Sequence, residues 1–210
     1  MRRNKGNDTR EMILDTALRL LRRHGGDKLT VVDIAREMGM SHANVYRFFK
    51  NKAEILDVIT DDWLSKIEAF IEEIAHRPVS AAQRIEAIVM ELHRKRRLKL
   101  IEDAEVFEMY RQVAEMRPDF QAKRRQKILD MFQRLIVDGI ASGEFKPVDS
   151  VEAATVLKDA TSLFLHPLMI PTAVNEKTDA RAQHVVRYII AGFSANGADP
   201  KRKRVARKSS

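Results

Sequence analysis

Residues 38–56, MGMSHANVYRFFKNKAEIL, set three aromatic side chains (Tyr46, Phe48, Phe49) among three cations (Arg47, Lys50, Lys52) after a run of short polar residues. This combination suits recognition and not bond making. Aromatic rings can anchor a segment to a core while cations hold phosphate. Ser41 is placed to open a short helix reaching about Phe48, with His42, Ala43, Asn44, Tyr46 and Arg47 on its exposed face. The N-terminal end of a helix carries positive dipole character and unpaired N–H groups, so it attracts phosphate. Small side chains there let the helix enter a major groove.

Other chemistries find little support. The six histidines (His24, His42, His76, His93, His166, His184) include no pair at i,i+4, and the chain has no cysteine. No metal site is expected, and disulfides and thiolate nucleophiles are excluded. The sequence contains no G-x-S-x-G, P-loop or dinucleotide fingerprint, so neither an enzyme nor a cofactor is expected. Convergent titratable side chains would be the sign of an all-helical enzyme. Trp63, Met90, His93, Phe107, Tyr110, Met131 and Phe132 are candidates for lining a small-molecule pocket, and all but His93 also read as ordinary helical core. The run HRKRRLKL, residues 93–100, reads either as a solvated helix end or as a site for an anion.

The elements that must hold these residues are helical almost throughout. Ile13, Ala17, Leu20 and Leu21 mark a first helix over 9–23, with Thr9 as its expected N-cap and Gly25 and Gly26 suited to a left-handed end. Thr30 opens a second helix, with Asp33 in the capping-box position, and Gly39 supplies the positive φ of a tight turn before Ser41. Ile34, Ala35, Met38, Val45 and Phe48 form the inward face of this helix-turn-helix. A long fourth helix follows through Leu56, Ile59, Trp63, Ile67, Phe70 and Ile74 to just before Pro78. A fifth starts near Ser80, and others are expected over 101–115, 119–142, 149–166 and 177–195. The expected fold class is all-α, with about nine helices and no strand.

The 210 residues divide unevenly in charge. Residues 1–52 hold 12 Lys/Arg against 6 Asp/Glu, residues 53–198 hold 20 against 23, and residues 199–210 hold 6 against 1. A polyanion would meet the ends and not the middle, although a solvated basic surface with a disordered tail has the same composition. The expected organisation is a reader with a basic arm over 1–52, a helical body over 53–198 and a disordered basic tail over 199–210. Arg2 and Arg3 are candidates for a minor-groove arm. No apolar run approaches the roughly 18–20 residues of a membrane-spanning helix, and the charged start is unlike a secretory signal. A cytoplasmic protein without membrane contact is expected.

The segment LTVVDIAREMGMSHANVYRFFKNKAEIL resembles the DNA-binding signature of the tetracycline-repressor (TetR) family. Thr30 matches the opening of helix two and Ser41 that of the recognition helix. Tyr46, Phe48, Phe49 and Lys52 match its aromatic and basic close, and Glu54, Ile55 and Leu56 the start of helix four. The resemblance covers residues 10 to about 60, and the remainder only in length and helix count. It implies a dimeric, sequence-specific transcriptional repressor, released from a palindromic operator in double-stranded DNA by a small-molecule inducer of unknown identity. The homodimer would form through the last two helices. Thr30, Tyr46 and Lys52 would contact phosphate, Ser41 would open the reading helix, and His42, Ala43 and Asn44 would face base edges. Arg47 could reach either phosphate or guanine. A DNA-binding architectural protein without an inducer is the alternative.

Overall fold

Helix α1, Lys5–His24, begins before Thr9, so Thr9 lies inside the helix and does not cap it. Arg22, Arg23 and His24 in its last turn complement the helix dipole. The helix closes through the Gly25 amide, which donates to the Leu21 carbonyl at 2.8 Å. Gly25 takes the left-handed conformation (φ +82°) and Gly26 does not. The computed structural model describes residues 5–173 and 177–194.

Side-chain caps open five of the helices that follow. Thr30 caps α2 (Val31–Glu37) by accepting from the Asp33 amide. The chain then turns at Gly39 with φ +63°; no atom crowds the site, so the backbone conformation alone calls for glycine. Ser41 caps α3, His42–Tyr46. Helix α4, Lys52–Ala75, is opened reciprocally: Asn51 Oδ1 accepts from the Glu54 amide, and the Glu54 carboxylate accepts from the Lys50 amide. Ser80 and Gln83 repeat this arrangement ahead of α5, Ala81–Glu102. Helix α6 spans Ala104–Met116, and α7 spans Pro118–Ala141 with proline at its first position, where no amide partner is missed. Asp149 caps α8, Ser150–Ala160. Two single turns, α9 (Ser162–Leu165) and α10 (Ile170–Ala173), precede α11, Thr178–Phe193.

The described residues therefore form eleven helical segments against about nine expected, and no strand. The difference lies beyond Asp149. The helix expected over 149–166 breaks at Thr161, whose hydroxyl donates back to the Leu157 and Lys158 carbonyls, and Ser162 does the same to Lys158. Such local bonds bend or interrupt a helix. The α10 turn had no periodic signal in sequence.

Two compact units result. The first comprises the described residues up to Ala69 together with Lys95–Pro118. Its core joins Ile13, Leu21, Ile34, Ala35, Val45, Phe49 and Ile55 with Val106 and Met109 of α6. Charged ties reinforce it: the Asp103 carboxylate accepts from Arg22 of α1 at 2.8 Å and from Lys99 of α5 at 3.1 Å, and Arg117 pairs with Asp57. Burial pushes the Asp103 carboxyl up, yet the two cations together outweigh it and hold it below the ordinary carboxylate value.

The second unit comprises Phe70–Arg94 and the described residues from Asp119 on. Here Glu144 accepts from the Ala81 and Ala82 amides and so ties down the start of α5. The Phe145 ring packs against Gly139, where any side chain would collide with it. Among the described residues no helix is long and apolar enough to cross a membrane.

Candidate nucleic-acid interface

The first unit presents a five-residue helix with one inward side chain. Val45 is fully buried, while Ser41, His42, Ala43, Asn44, Tyr46 and Arg47 are exposed. Phe49, just beyond, is buried beneath the Arg10 guanidinium, which sits 4.9 Å from the ring centroid. Phe48, Met38 and Met40 are partly buried against the same core. The aromatic and methionine residues thus hold the segment down, and its polar residues face outward.

The outward groups have defined roles in local structure. Ser41 Oγ accepts from the Asn44 backbone amide at 3.3 Å. The Tyr46 ring meets His42 edge-on at 6.3 Å. Thr30 Oγ1 accepts from the Asp33 amide at 3.1 Å and donates to the Asp33 carboxylate at 2.6 Å. Lys52, the first residue of α4, donates from Nζ to the Asp27 carbonyl at 3.4 Å. This ties α4 to the loop ahead of α2, so the side chains at Thr30 and Lys52 flank one stretch of chain. Arg2, Arg3 and the basic stretch 199–210 lie outside the described residues.

The seven pocket candidates fall into separate units. In the first, Trp63 and Tyr110 meet edge-on at 5.1 Å and Phe107 and Tyr110 at 5.9 Å, with the Lys99 ammonium 5.6 Å from the Trp63 ring. In the second, Met131 and Phe132 are buried and Met90 half-buried. His93 is only 2% exposed, and both ring nitrogens have partners: Nδ1 with the Phe164 carbonyl at 3.3 Å and Nε2 with Asp179 at 2.9 Å. It pins α5 to α9 and α11. Among the described residues, no group of three His, Asp or Glu side chains could hold a metal ion.

The second unit also has a cleft of about 640 Å³ that sequence reasoning did not nominate. It lies beside Arg84, Arg134 and Asp138 over Leu135 and Val137. Arg84 donates to the Ala75 carbonyl at 2.9 Å and to Asp138 at 3.1 Å. The cleft joins residues more than 50 positions apart, a juxtaposition with no counterpart in local spacing.

Two family models match the chain. Residues 13–59 match the one described as bacterial regulatory proteins, tetR family, and residues 81–186 the one described as tetracyclin repressor-like, C-terminal domain. The uncharacterized HTH-type transcriptional regulator YfiR of Bacillus subtilis is 31% identical over 153 residues, covering 70% of this chain and 71% of its own. A TetR/AcrR-family regulator from Thermobifida fusca superposes with a TM-score of 0.68 at 23% identity, over 89% of this chain and 98% of that one. SmeT, the repressor of a multidrug efflux pump of Stenotrophomonas maltophilia, superposes with a TM-score of 0.66 at 20% identity, over 90% and 91% of the two chains.

Proposed function

Because the chain belongs to the TetR family of DNA-binding transcriptional regulators, we propose that it is a dimeric repressor that leaves a palindromic operator when a small molecule binds its body. The observation that carries the reading is the outward face of α3, where every residue except Val45 is exposed. His42, Ala43 and Asn44 meet base edges, while Tyr46, Lys52 and the chain around Thr30 hold phosphate. Arg47 reaches whichever of the two the operator presents. Since the Thr30 hydroxyl already donates to Asp33, its phosphate contact uses either the backbone or a rotated hydroxyl.

Dimerisation joins the last helices of two copies. Val151 and Val156 of α8 and Tyr188 of α11 expose apolar surface that a twofold contact would remove from water. Two readers on a twofold axis then meet half-sites about 34–36 Å apart, one turn of the duplex. An effector held in the body acts by preferring a different spacing, and it weakens DNA binding by as much as its own preference for that state. The cleft beside Arg84 and Arg134 lies within the about 300–1,000 Å³ of small-molecule sites. The aromatic group around Tyr110 is the second candidate. Helix α4, which starts at Lys52 and continues to Ala75, carries the change to the reader.

Selection from random duplexes tests the reading. Purified protein is expected to recover inverted repeats, because each recognition helix meets the same base edges in opposite orientation. Sequence-independent recovery would overturn it in favour of an architectural protein.

A further inference from the structure

The end of α1, the following loop and α2 line a recess of about 330 Å³ within the first unit, and none of its lining residues is assigned above to base or phosphate contact. Arg23, His24 and Lys28 line it. None of the three side chains has a hydrogen bond or an ion pair among the described residues, whereas the surrounding charges are committed. Arg22, beside them, is bound to Asp103. The two carboxylates of the recess are also taken: Asp33 pairs with Arg36 at 3.3 Å and accepts from Thr30, and Glu37 pairs with Arg19 at 3.3 Å. Two permanent cations, Arg23 and Lys28, therefore remain without an anion on an exposed surface.

A role at the helix end accounts for only part of this. Cations in the last turn of α1, Arg23 among them, favour its dipole, but Lys28 is not in a helix. The placement of Lys28 is the more informative fact. Lys28 stands two residues before Thr30, and its neighbour Asp27 provides the carbonyl that holds the Lys52 ammonium. Two residues span at most about 7 Å, which equals the rise of about two nucleotides along one strand. Lys28 thus adjoins the phosphate-holding surface at Thr30, and Arg23 lines the same recess as Lys28.

We infer that Arg23 and Lys28 grip backbone phosphates that flank the bases read by α3, so that each reader covers DNA beyond its half-site. The inference rests on the DNA-binding reading above. A small free anion fits the recess less well. Both cations are exposed, and the acidic groups that could orient a compact ligand are tied to other side chains. A polyanion met at several points needs no such enclosure. Such contacts add affinity and no sequence preference.

The test uses the full chain, its Arg23→Gln/Lys28→Gln variant and two duplexes. One duplex is trimmed to the selected palindrome, and the other extends it by about half a helical turn at each side. The wild type is expected to bind the extended duplex more tightly. The variant is expected to lose that difference, to flatten the slope of log affinity against log salt by about 0.9 for each lost phosphate contact, and to recover the same palindrome. Both substitutions are on exposed side chains, so thermal melting should confirm an intact fold. If the variant keeps the wild-type slope and flank dependence, the inference is wrong. A lowered melting temperature with an unchanged slope is equally fatal, since it would confine the cations to the helix end. Failure of the wild type to select any sequence would instead remove the DNA-binding reading itself.

Discussion

Helix α3 of the first unit, with Arg47 at its C-terminal cap, exposes His42, Asn44, Tyr46 and Arg47, whereas α8 and α11 of the second expose Val151, Val156 and Tyr188, the last to 79%. The internal ties differ in the same sense. The first unit binds α1 to α5 and α6 through a carboxylate shared by two cations, and the second joins α5 to α9 and α11 through a buried imidazole. One surface gains from a wet, charged partner whose hydrogen-bonding groups are presented in a fixed order. The other gains by losing water from apolar area, at roughly 25 cal/mol per Å². On the function proposed above the chain holds DNA with one unit and a copy of itself with the other, and a substitution on either surface should show which partner it serves.

The largest effect should come from the apolar surface. Val156→Glu combined with Tyr188→Glu places charge where a twofold contact would bury it, and sedimentation should report a monomer. Operator affinity is then expected to fall by about 10²- to 10⁴-fold, the gain that linking two readers provides. Melting of the wild type should depend on protein concentration and that of the variant should not. A variant that remains dimeric would place the contact elsewhere.

The charged tie in the first unit gives the next effect. Asp103→Asn removes the carboxylate held by Arg22 and Lys99, and by the usual worth of hydrogen bonds to charged groups it should cost about 1.5–3 kcal/mol at neutral pH. The folded carboxyl titrates below its ordinary value, so the unfolded chain takes up the proton first as the pH falls. The stabilisation is fully present above the unfolded value, near pH 4, and is lost as the pH drops through the lower folded value. Denaturation curves of wild type and variant should converge over that acidic interval. Parallel curves would show that Asp103 contributes nothing through its charge.

The difference between the units also explains what the sequence made legible. Around the reader, each signal is local: Thr30 and Ser41 cap within three residues, Gly39 turns the chain, and Val45 is the one inward residue of α3. Periodicity and capping rules capture such features because cause and effect lie within one turn of helix. The first-unit ties to Asp103 span 81 residues in the case of Arg22, and those of His93 to Asp179 span 86. No spacing rule reaches that far. The break at Thr161 is not legible for a different reason, since Thr and Ser can face solvent in a helix or turn back onto a carbonyl, and tertiary packing chooses between them. Nothing in the sequence marks Arg23 and Lys28 as uncommitted, because commitment is a property of neighbours and not of residue type.

The smallest effects separate reading from holding within α3 itself. In Asn44→Ala the amide that donates to Ser41 Oγ is backbone and survives, so the helix start keeps its cap and only the exposed side chain is lost. The expected outcome is a relaxed preference at one base pair in each half-site, by about 1–3 kcal/mol, with affinity for other sites little changed. Tyr46→Phe keeps the ring that meets His42 edge-on and removes only the hydroxyl. A hydroxyl on phosphate carries no base information, so this variant should bind every duplex more weakly by about 0.5–1.5 kcal/mol while selecting the same sequence. Binding titrations on the selected palindrome and on a set of single-pair variants distinguish the two patterns. Equal weakening on all duplexes by both substitutions would mean that Asn44 also holds the backbone, and base recognition would then fall to His42, Ala43 and Arg47.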